Sequence, residues 1–317
     1  MIIVTGGAGF IGGNYLRSLK KLGHKKVVCV DKLTYASNYD FIKDLVEEGF
    51  IDFRQIDIAN EDEIYNLFEE IQPTHIVNFA AETHVDNSID DYSPFIHTNI
   101  LGTINLLECC RDLKSLEKFI HVSTDEVYGS LELDDVNSFN EKTPYDPNNP
   151  YSASKATSDH FVRAFHKTYG VPTIVTNCSN NYGYNQNEEK LIPTIIRKAL
   201  ADENIPVYGD GLNVRDWLFV SDHCKGINLV LENGKVGEKY NIGGGTELPN
   251  LEIVRIILKL LDKPESLIKF VKDRPGHDRR YSIDCSKIEK ELGYKPDYTL
   301  DEALALTVDY YLSKDIL

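Results

Sequence analysis

Residues 2–12 read IIVTGGAGFIG, and this stretch decides the fold. The β-branched run 2–5 predicts a strand, and Gly6, Gly9 and Gly12 follow it at GxxGxxG spacing before a helical pattern. Glycine permits a tight turn, lets the backbone approach a pyrophosphate closely, and lets the following helix pack on the sheet. The stretch therefore predicts a dinucleotide-binding strand-turn-helix unit, with the positive end of the helix facing the phosphates.

An acidic residue at the end of the second strand-like run refines this prediction. Asp31 stands nineteen positions after Gly12, where a carboxylate accepts hydrogen bonds from an adenosine ribose and repels a 2′-phosphate. NAD is therefore favoured over NADP, although an isolated acid there is also compatible with an ordinary turn. Asp57, after the third run, either approaches the adenine or caps the next helix.

The rest of the first half alternates strand-like and helical patterns. This alternation predicts an α/β fold, a Rossmann-type doubly wound parallel sheet. Past Asn177 the pattern loosens around helices 191–201 and 251–261, which predicts a smaller C-terminal substrate-binding domain. The predicted boundaries are 1–178 and 179–317, with 214–240 packing back onto the first domain. Strands are expected at 2–5, 26–30, 53–56, 75–79, 119–123 and 173–177, and helices at 15–22, 61–71, 93–113 and 152–169.

Composition limits the possible partners. The 317 residues have a net charge of -16, from 50 acidic against 34 basic residues, which argues against nucleic acid and anionic membranes. The six cysteines show no CxxC spacing and lie mostly in apolar stretches, which is typical of reduced thiols in the cytoplasm. No apolar run is long enough to span a bilayer, no targeting segment is recognisable, and no metal site is predicted.

Two short patterns indicate catalysis. Asp125 and Glu126 directly follow the strand-like run 119–123, and Tyr151 and Lys155 stand one helical turn apart. A lysine ammonium on the same helix face stabilises a tyrosine phenolate and makes it a usable base near neutral pH. Because two close carboxyls cannot both ionise at low cost, one stays a neutral acid while the other remains a base. The pair thus supplies the proton donor and acceptor for expelling water, unless it merely caps a turn.

Several longer runs resemble the dTDP-glucose 4,6-dehydratase family of the extended short-chain dehydrogenase/reductase superfamily. The glycine turn and Tyr-x-x-x-Lys are common to the superfamily, whereas TDEVYG and RPGHD are much narrower. The runs are TGGAGFIG (5–12), DKLTYASN (31–38), FAAETHVDNSI (79–89), STDEVYG (123–129), PYSASKATSDH (150–160), TNCSNNYG (176–183), VYGDGLNVRDWLFVSDH (207–223) and RPGHDRRYSID (274–284).

The resemblance implies one reaction cycle. Tyr151, assisted by Lys155, takes the proton of the sugar C4 hydroxyl while hydride leaves C4 for NAD, and Thr124 hydrogen-bonds the same oxygen. Glu126 then removes the C5 proton, and Asp125 protonates the departing C6 hydroxyl. Hydride returns at C6 and yields a 4-keto-6-deoxy sugar.

The resemblance also implies binding residues, with Lys190, Arg215, Arg274 and His277 as anchors for a nucleotide diphosphate, although each is also compatible with a surface ion pair. The NAD contacts are Gly6, Gly9, Phe10, Ile11, Gly12, Asp31, Lys32, Leu33, Thr34, Asp57, Ile58, Ala80, Ala81, Thr98, Tyr151, Lys155 and Asn181. The substrate contacts are Thr83, His84, Thr124, Asn180, Lys190, Leu191, Val207, Tyr208, Arg215, Asn250, Arg274 and His277.

Three positions depart from the family pattern. Asn87 stands at the usual arginine, Thr83 at a serine, and Tyr184 at a proline after NNYG. Because the cation is missing, the preferred nucleobase of the substrate stays open. A thymidine nucleotide is favoured, and a UDP-glucose 4,6-dehydratase is the alternative. A C4-epimerase or decarboxylase on the same scaffold would not need both acids, and a dinucleotide-sensing protein would not need the Tyr-Lys pair.

The segment 95–113 predicts how the chain assembles. It is apolar on several faces, and this apolar surface is larger than a single contact with the sheet would bury. The resemblance implies a homodimer in which this helix and the one bearing Tyr151 form a four-helix interface. The alternative is a helix wedged between the sheet and the second domain.

Overall fold

A computed structural model describes residues 1–314 of the chain. The strands are β1 (Ile2–Thr5), β2 (Val27–Asp31), β3 (Ile51–Gln55), β4 (His75–Asn78), β5 (Lys118–Thr124), β6 (Thr173–Cys178), β7 (Asn180–Tyr182), β8 (Ile205–Tyr208), β9 (Val214–Phe219), β10 (Lys239–Ile242), β11 (Glu247–Pro249) and β12 (Ile268–Val271). The helices are α1 (Phe10–Lys21), α2 (Lys43–Glu47), α3 (Glu61–Ile71), α4 (Val85–Asp90), α5 (Ser93–Phe95), α6 (Thr103–Arg111), α7 (Pro150–Tyr169), α8 (Leu191–Leu200), α9 (Val220–Asn233), α10 (Asn250–Leu260), α11 (Ser286–Leu292) and α12 (Leu300–Ser313).

A parallel sheet of seven strands forms the centre, in the order β10-β6-β5-β4-β1-β2-β3. Strand β1 pairs with β2 on one side and β4 on the other, in register at Thr5 with Val30 and with Asn78. The strand order reverses at this point, which leaves a crevice at the carboxyl ends of the strands. The predicted Rossmann-type doubly wound sheet is confirmed.

Helices cover both faces of this sheet and bury it. All five residues of β2 are buried, as expected for a parallel strand covered on both sides. On one face, Tyr15, Leu16 and Leu19 of α1 contribute to the largest apolar cluster. On the other face, Leu106 and Leu107 of α6 pack in a second cluster with residues of α3. The rigid sheet therefore fixes the strand ends where polar residues gather.

The chain leaves the central sheet after β6 and later returns to it. Strands β11, β9 and β7 form a three-stranded sheet, and β12 pairs with β8. Strand β10 then joins the central sheet beside β6, and α9 packs against α1. Residues 220–242 thus lie on the central sheet, while β9 lies in the smaller sheet. Within residues 1–314, no helix combines the length and apolar character that a membrane span requires.

Two helices differ from the sequence prediction. The helix expected at 15–22 begins earlier, at Phe10, because the glycine turn leads directly into it. The helix expected at 93–113 is interrupted, since Ile96–Gly102 is π-helical between α5 and α6. Such wider turns are frequent at functional sites. Within this turn, Asn99 Nδ2 donates to the carbonyl of Glu82 at 3.0 Å and to Ser154 Oγ at 2.8 Å.

Candidate active site

A cleft of about 280 Å³ opens at the carboxyl ends of the central strands. It gathers residues from the ends of β1, β2, β4, β5 and β6 and from the start of α7. The predicted residues that line it are Gly6, Gly9, Phe10, Ile11, Gly12, Asp31, Lys32, Thr34, Asp57, Ile58, Ala80, Ala81, Thr83, Thr98, Thr124, Asp125, Glu126, Tyr151, Lys155, Asn180, Asn181 and Lys190.

The glycine turn brings backbone to the floor of the cleft. Gly6 has φ of 66°, a left-handed conformation that glycine adopts without strain. A Cβ atom on Gly12 would lie 2.2 Å from the carbonyl oxygen of Gly6, so no side chain fits there. Helix α1 starts directly after Gly9 and directs its unpaired amides toward the cleft. This arrangement fits a dinucleotide pyrophosphate.

Asp31 connects the glycine turn to the loop after β2. Its Oδ2 accepts a hydrogen bond from the amide of Ala8 at 3.0 Å. Its Oδ1 accepts from the amide of Leu33 at 2.8 Å and from Ser37 Oγ at 2.9 Å. The carboxylate therefore organises the protein backbone at the position expected to meet an adenosine ribose. Sequence reasoning foresaw the acid but not this bracing role.

Asp57 lines the cleft and does not cap the following helix. Its Oδ1 accepts from the amide of Ala59 at 2.9 Å, while Asn60 caps α3 by accepting from the amide of Glu63. The capping alternative for Asp57 is therefore wrong, because the cap falls three residues later. Lys32 Nζ lies 3.7 Å from the Asp57 carboxylate and donates to Thr98 Oγ1 at 2.8 Å.

The adjacent acids lie in a 3₁₀ turn that begins where β5 ends. Thr124 is the N-cap of this turn: its Oγ1 accepts from the amide of Glu126 at 3.3 Å and lies 3.3 Å from Asp125 Oδ1. Both acids line the cleft, and Asp125 Oδ2 is buried without a hydrogen-bond partner among the described residues. The turn thus directs two neighbouring carboxyls into one cleft.

The surroundings of the two carboxyls differ. Burial raises the pKa of Asp125 well above its usual value, and the charges of Glu126 and Asp216 raise it further. Burial also raises the pKa of Glu126, but the charges of Arg274 and Arg215 oppose that rise. Burial and nearby charge therefore favour the neutral acid more strongly at Asp125 than at Glu126.

Tyr151 and Lys155 lie in the first two turns of α7, which a capping box formed by Asn149 and Ser152 fixes in place. Both side chains are buried, and Lys155 Nζ donates to the carbonyl of Val122 at 2.8 Å. Burial, together with the charge of Glu126, raises the pKa of Tyr151 well above its usual value. Burial therefore disfavours the phenolate in the protein without ligand, and a phenolate near neutral pH stays a prediction for the occupied site.

Cationic side chains surround Glu126 from distant parts of the chain. Arg215 is buried; its guanidinium donates to the carbonyl of Asp278 at 2.9 Å and stacks over the ring of Tyr281 at 4.2 Å. Arg274 forms an ion pair with Asp86 at 3.1 Å. Arg215 is buried and donates to backbone carbonyls, so the surface ion-pair alternative does not fit it. Its positive charge lowers the pKa of Glu126.

Some predicted residues lie outside this cleft. The nucleobase candidates Val207 and Tyr208 are on β8, and the ring of Tyr208 meets the ring of His277 at 6.2 Å. Asn250 begins α10, and its buried Oδ1 has no hydrogen-bond partner among the described residues. The structure thus separates a cofactor and catalytic cleft from these nucleotide candidates. The predicted residues that do not line the cleft are Leu33, His84, Leu191, Val207, Tyr208, Arg215, Asn250, Arg274 and His277.

Other residues at the site escaped the sequence prediction. Ser37 braces Asp31, Glu82 lies 3.4 Å from Lys32 Nζ, and Tyr281 lies 3.5 Å from Glu126. Ser179 and Glu189 also line the cleft. Ser37, Glu82, Ser179 and Tyr281 fall within runs that resemble the family, which was their only signal in the sequence. Their contacts depend on how distant segments fold together.

The family model described as GDP-mannose 4,6 dehydratase matches residues 3–307. The dTDP-glucose 4,6-dehydratase of Xanthomonas campestris pv. campestris is 54% identical over 330 residues, covering 98% of this chain and 93% of the relative. The chain belongs to the dTDP-glucose 4,6-dehydratase family.

Solved structures agree with membership of the dehydratase family. DesIV, the dTDP-glucose 4,6-dehydratase of Streptomyces venezuelae, has a TM-score of 0.94 and 44% identity, covering 99% of this chain and 97% of that one. A UDP-glucuronic acid 4-epimerase from Bacillus cereus has a TM-score of 0.92 and 30% identity, covering 98% and 99%. Dehydratases and epimerases share this scaffold, so the side chains in the cleft must distinguish the two activities.

Proposed function

We propose that the chain catalyses NAD-dependent dehydration of a nucleotide-diphosphate glucose, dTDP-glucose in particular, to the 4-keto-6-deoxy sugar. The observation that decides this is the pair Asp125 and Glu126, which share one cleft with Tyr151 but differ in electrostatic surroundings. Simple oxidation at C4 needs only the tyrosine, whereas loss of water across C5 and C6 also needs a proton acceptor and a proton donor.

The residues in the cleft suit an NAD cofactor, as bound in the structures of DesIV and of the Bacillus anthracis dehydratase. The glycine turn would hold the pyrophosphate, Asp31 the adenosine ribose, and Lys155 the part nearest the reacting sugar. NAD, when bound, supplies a hydride acceptor for C4, the same hydride for C6, and a positively charged ring. That positive charge favours the phenolate of Tyr151, which burial alone disfavours.

The chain's own groups move the protons. Tyr151 takes the proton of the C4 hydroxyl, and the Thr124 hydroxyl hydrogen-bonds the same oxygen. The ketone at C4 acidifies the C5 hydrogen, which Glu126 then removes. Asp125, neutral in its buried position, protonates the C6 hydroxyl so that it leaves as water. Glu126 finally returns its proton to C5, and the proton that Tyr151 gained equals the one that Asp125 gave to the departing water. Because the hydride removed from C4 ends on C6, the cycle consumes no external reductant.

Cationic anchors are proposed to bind the diphosphate. Arg215 has a rigid planar donor group whose present acceptors are backbone carbonyls. A diphosphate offers stronger, charged acceptors to the same guanidinium. Lys190 Nζ at present donates to the carbonyl of Thr83 at 3.1 Å, at the rim of the cleft. Together with Arg274 and His277 these residues define the proposed nucleotide side of the site.

A product assay tests the activity. Protein saturated with NAD is incubated with dTDP-, UDP-, GDP- and CDP-glucose, and the base-labile chromophore of a 4-keto sugar is measured. We expect the wild type to form more product from dTDP-glucose than from the other three nucleotide sugars. The Glu126→Gln variant should form no product but should bind NAD fully. Unchanged hexose at full NAD occupancy rejects the proposal, and a C4-epimerised hexose supports the epimerase instead.

A homodimer is the proposed assembly. Exposed apolar side chains remain on two neighbouring helical segments that pack against each other. The first is the π-helical turn with α6, residues 96–111, and the second is α7. These side chains are Ile96 and Leu101 on the first segment, and Phe161 and Tyr169 on the second. Four such helices, two from each copy, would cover them. Light scattering should give a dimer for the wild type and a monomer for Leu101→Asp/Phe161→Asp.

The domain division and the compartment follow as proposals. The division at 178 and 179 is supported by the return of β10 and α9 to the central sheet, which assigns most of 214–240 to the cofactor domain. A reducing cytoplasm is supported by the six cysteines, all of which are free thiols in the structure.

A further inference from the structure

A chain of buried polar side chains crosses the central sheet behind the cleft. Thr5 Oγ1 donates to Asn78 Oδ1 at 2.6 Å, which directs the Asn78 Nδ2 group toward His121 Nδ1, at 3.1 Å. Because Asn78 donates there, His121 Nδ1 is the acceptor and Nε2 bears the proton. His121 Nε2 lies 3.4 Å from Asp159 Oδ1. Residues of three strands thus place one imidazole beside one carboxylate on α7, with no hydrogen bond between Nε2 and Oδ1.

Asp159 is a buried carboxylate whose hydrogen-bond donors all meet Oδ2, whereas Oδ1 has no hydrogen-bond partner among the described residues. Its Oδ2 accepts from Tyr145 OH at 2.7 Å, from Ser123 Oγ at 2.9 Å and from Asn177 Nδ2 at 3.4 Å. Burial raises the pKa of Asp159, but the neighbouring His121, the charge of Lys155 and the hydrogen bond from Tyr145 outweigh it, so that pKa is below its usual value. Burial also lowers the pKa of His121 to about 4, so the imidazole is neutral near pH 7. The negative charge of Asp159 is therefore not cancelled by His121.

That charge lies one helical turn from Lys155. Positions 155 and 159 are on the same face of α7, and both side chains contact β5 at consecutive residues, the carbonyl of Val122 and the hydroxyl of Ser123. Burial lowers the pKa of Lys155, and the charge of Asp159 opposes this loss. The titratable groups that influence Lys155 and Asp159 from packed elements are His121 on β5, Cys178 on β6, Lys239 on β10, and Tyr128 and Tyr145 in the connection to α7.

Lys239 does not replace Lys155 as the partner of Asp159. Its ammonium lies over the rings of Tyr145 and Tyr128, at 4.3 and 5.4 Å from their centroids. Tyr145 hydrogen-bonds Asp159 directly, and the charge of Asp159 also opposes the burial that lowers the pKa of Lys239. Lys155 is the cation that shares a helix with the carboxylate.

We propose that Asp159 is a positioning residue for the dehydratase reaction: held by hydrogen bonds from Ser123 and Tyr145, it is the counter-charge that keeps Lys155 ionised behind Tyr151. This inference rests on the proposed function only for its catalytic consequence. The pairing of Asp159 with Lys155 is a property of the folded chain and can be tested without turnover.

A double-mutant cycle in urea tests the pairing. Asp159→Asn leaves a buried ammonium without its counter-charge, and Lys155→Met leaves a buried carboxylate without its own, so each should lower the midpoint of unfolding. The double variant removes both charges and should recover at least half of the summed loss. Losses that simply add would overturn the pairing. Tyr145→Phe, which removes one hydrogen bond but no charge, is the matched control and should show no such recovery with Lys155→Met.

The pH dependence of kcat/KM tests the catalytic consequence. Loss of the Asp159 charge lowers the pKa of Lys155, so less ammonium is available to stabilise the phenolate, and the pKa of Tyr151 rises. A base works above its pKa, so the acidic limb of the profile should move to higher pH, by about 1–3 units for one close charge. Activity should approach the wild-type value again above the shifted limb.

The control variant separates this role from a structural one. Tyr145→Phe should leave the limb in place, and Asp159→Glu should shift it less than Asp159→Asn because the charge remains. A uniform loss of kcat/KM at all pH values in Asp159→Asn, with an unmoved limb, would overturn the positioning role. If no nucleotide sugar is converted at all, the proposed function fails, whereas the urea cycle still decides whether Asp159 and Lys155 are paired.

Discussion

The cofactor half and the proposed substrate half of the molecule offer their ligands different kinds of binding group. Around the glycine turn, the backbone itself forms the site: Gly6 has a left-handed φ, and Gly12 leaves no room for a Cβ atom. On the proposed substrate side, the candidate groups are long cationic side chains, and Arg215 and Arg274 come from segments far apart in sequence. A backbone site tolerates no added atom, whereas a side-chain site can lose one contact and keep the others.

The same difference explains the chemistry between the halves. The 3₁₀ turn Asp125–Tyr128 follows β5 of the cofactor half, so its backbone is fixed by the central sheet. The charges that distinguish Glu126 from Asp125 come from the substrate half. The central sheet therefore fixes where the acids lie, and the substrate half sets which one is ionised.

The largest expected effect is on the backbone site. Gly12→Ala places a Cβ atom 2.2 Å from the carbonyl of Gly6, so the turn must distort. Overpacking of about 3 kcal/mol corresponds to roughly 100-fold weaker NAD binding, measured by calorimetry. Gly9→Ala is the matched control: its Cβ would lie 3.2 Å from the same oxygen, and we expect a clearly smaller loss. Equal losses would mean that the close approach at Gly12 does not matter.

A smaller effect is expected on the side-chain site. Arg215→Met removes a buried charge and its donors while keeping much of the apolar stem. Hydrogen bonds to charged groups contribute about 1.5–3 kcal/mol, so KM for the nucleotide sugar should rise roughly 10–100-fold. NAD affinity should not change, and Arg255→Met, which removes only exposed ion pairs, should alter neither value. A parallel loss of NAD affinity in Arg215→Met would abolish the distinction between the halves.

The buried acid should also affect stability as pH changes. Burial raises the pKa of Asp125 in the folded protein above its unfolded value of about 3.9. Such a group stabilises the fold fully below the unfolded pKa, and that stability is lost as pH rises through the folded pKa. Asn at position 125 cannot ionise. As pH rises from 4, the urea midpoint of Asp125→Asn should therefore increase relative to that of the wild type. A constant difference across pH would place an ionised Asp125 in the folded protein.

The smallest effect is expected at Asn87, where the family pattern has arginine. Asn87 is exposed, and its Nδ2 donates to Tyr35 OH at 3.0 Å. Exposed charges contribute about 0–1 kcal/mol, so Asn87→Arg should change KM for dTDP-glucose less than about fivefold. A larger decrease in KM would show that the substrate half extends to α4 and that the missing cation weakens nucleotide binding.

The sequence predicted the parts of the molecule that depend on local spacing. The glycine turn, Asp31, the acid pair and the Tyr-Lys pair each occupy a short stretch whose backbone geometry follows from the residues themselves. The α/β alternation predicted the central sheet for the same reason.

Features that depend on tertiary packing were not predictable. The π-helical turn at Ile96–Gly102 has no composition signal, and the stacking of Arg215 over Tyr281 joins segments that are 66 positions apart. The raised pKa of Tyr151 follows from complete burial, which helical spacing with Lys155 cannot reveal.

The central claim is that Asp125 and Glu126 hold opposite protonation states in one cleft. Infrared difference spectroscopy at neutral pH tests it directly, by comparing the carbonyl stretch of a protonated carboxyl in the wild type, Asp125→Asn and Glu126→Gln. The account predicts that the protonated band disappears in Asp125→Asn and persists in Glu126→Gln. Loss of that band in Glu126→Gln, with its survival in Asp125→Asn, would contradict the account.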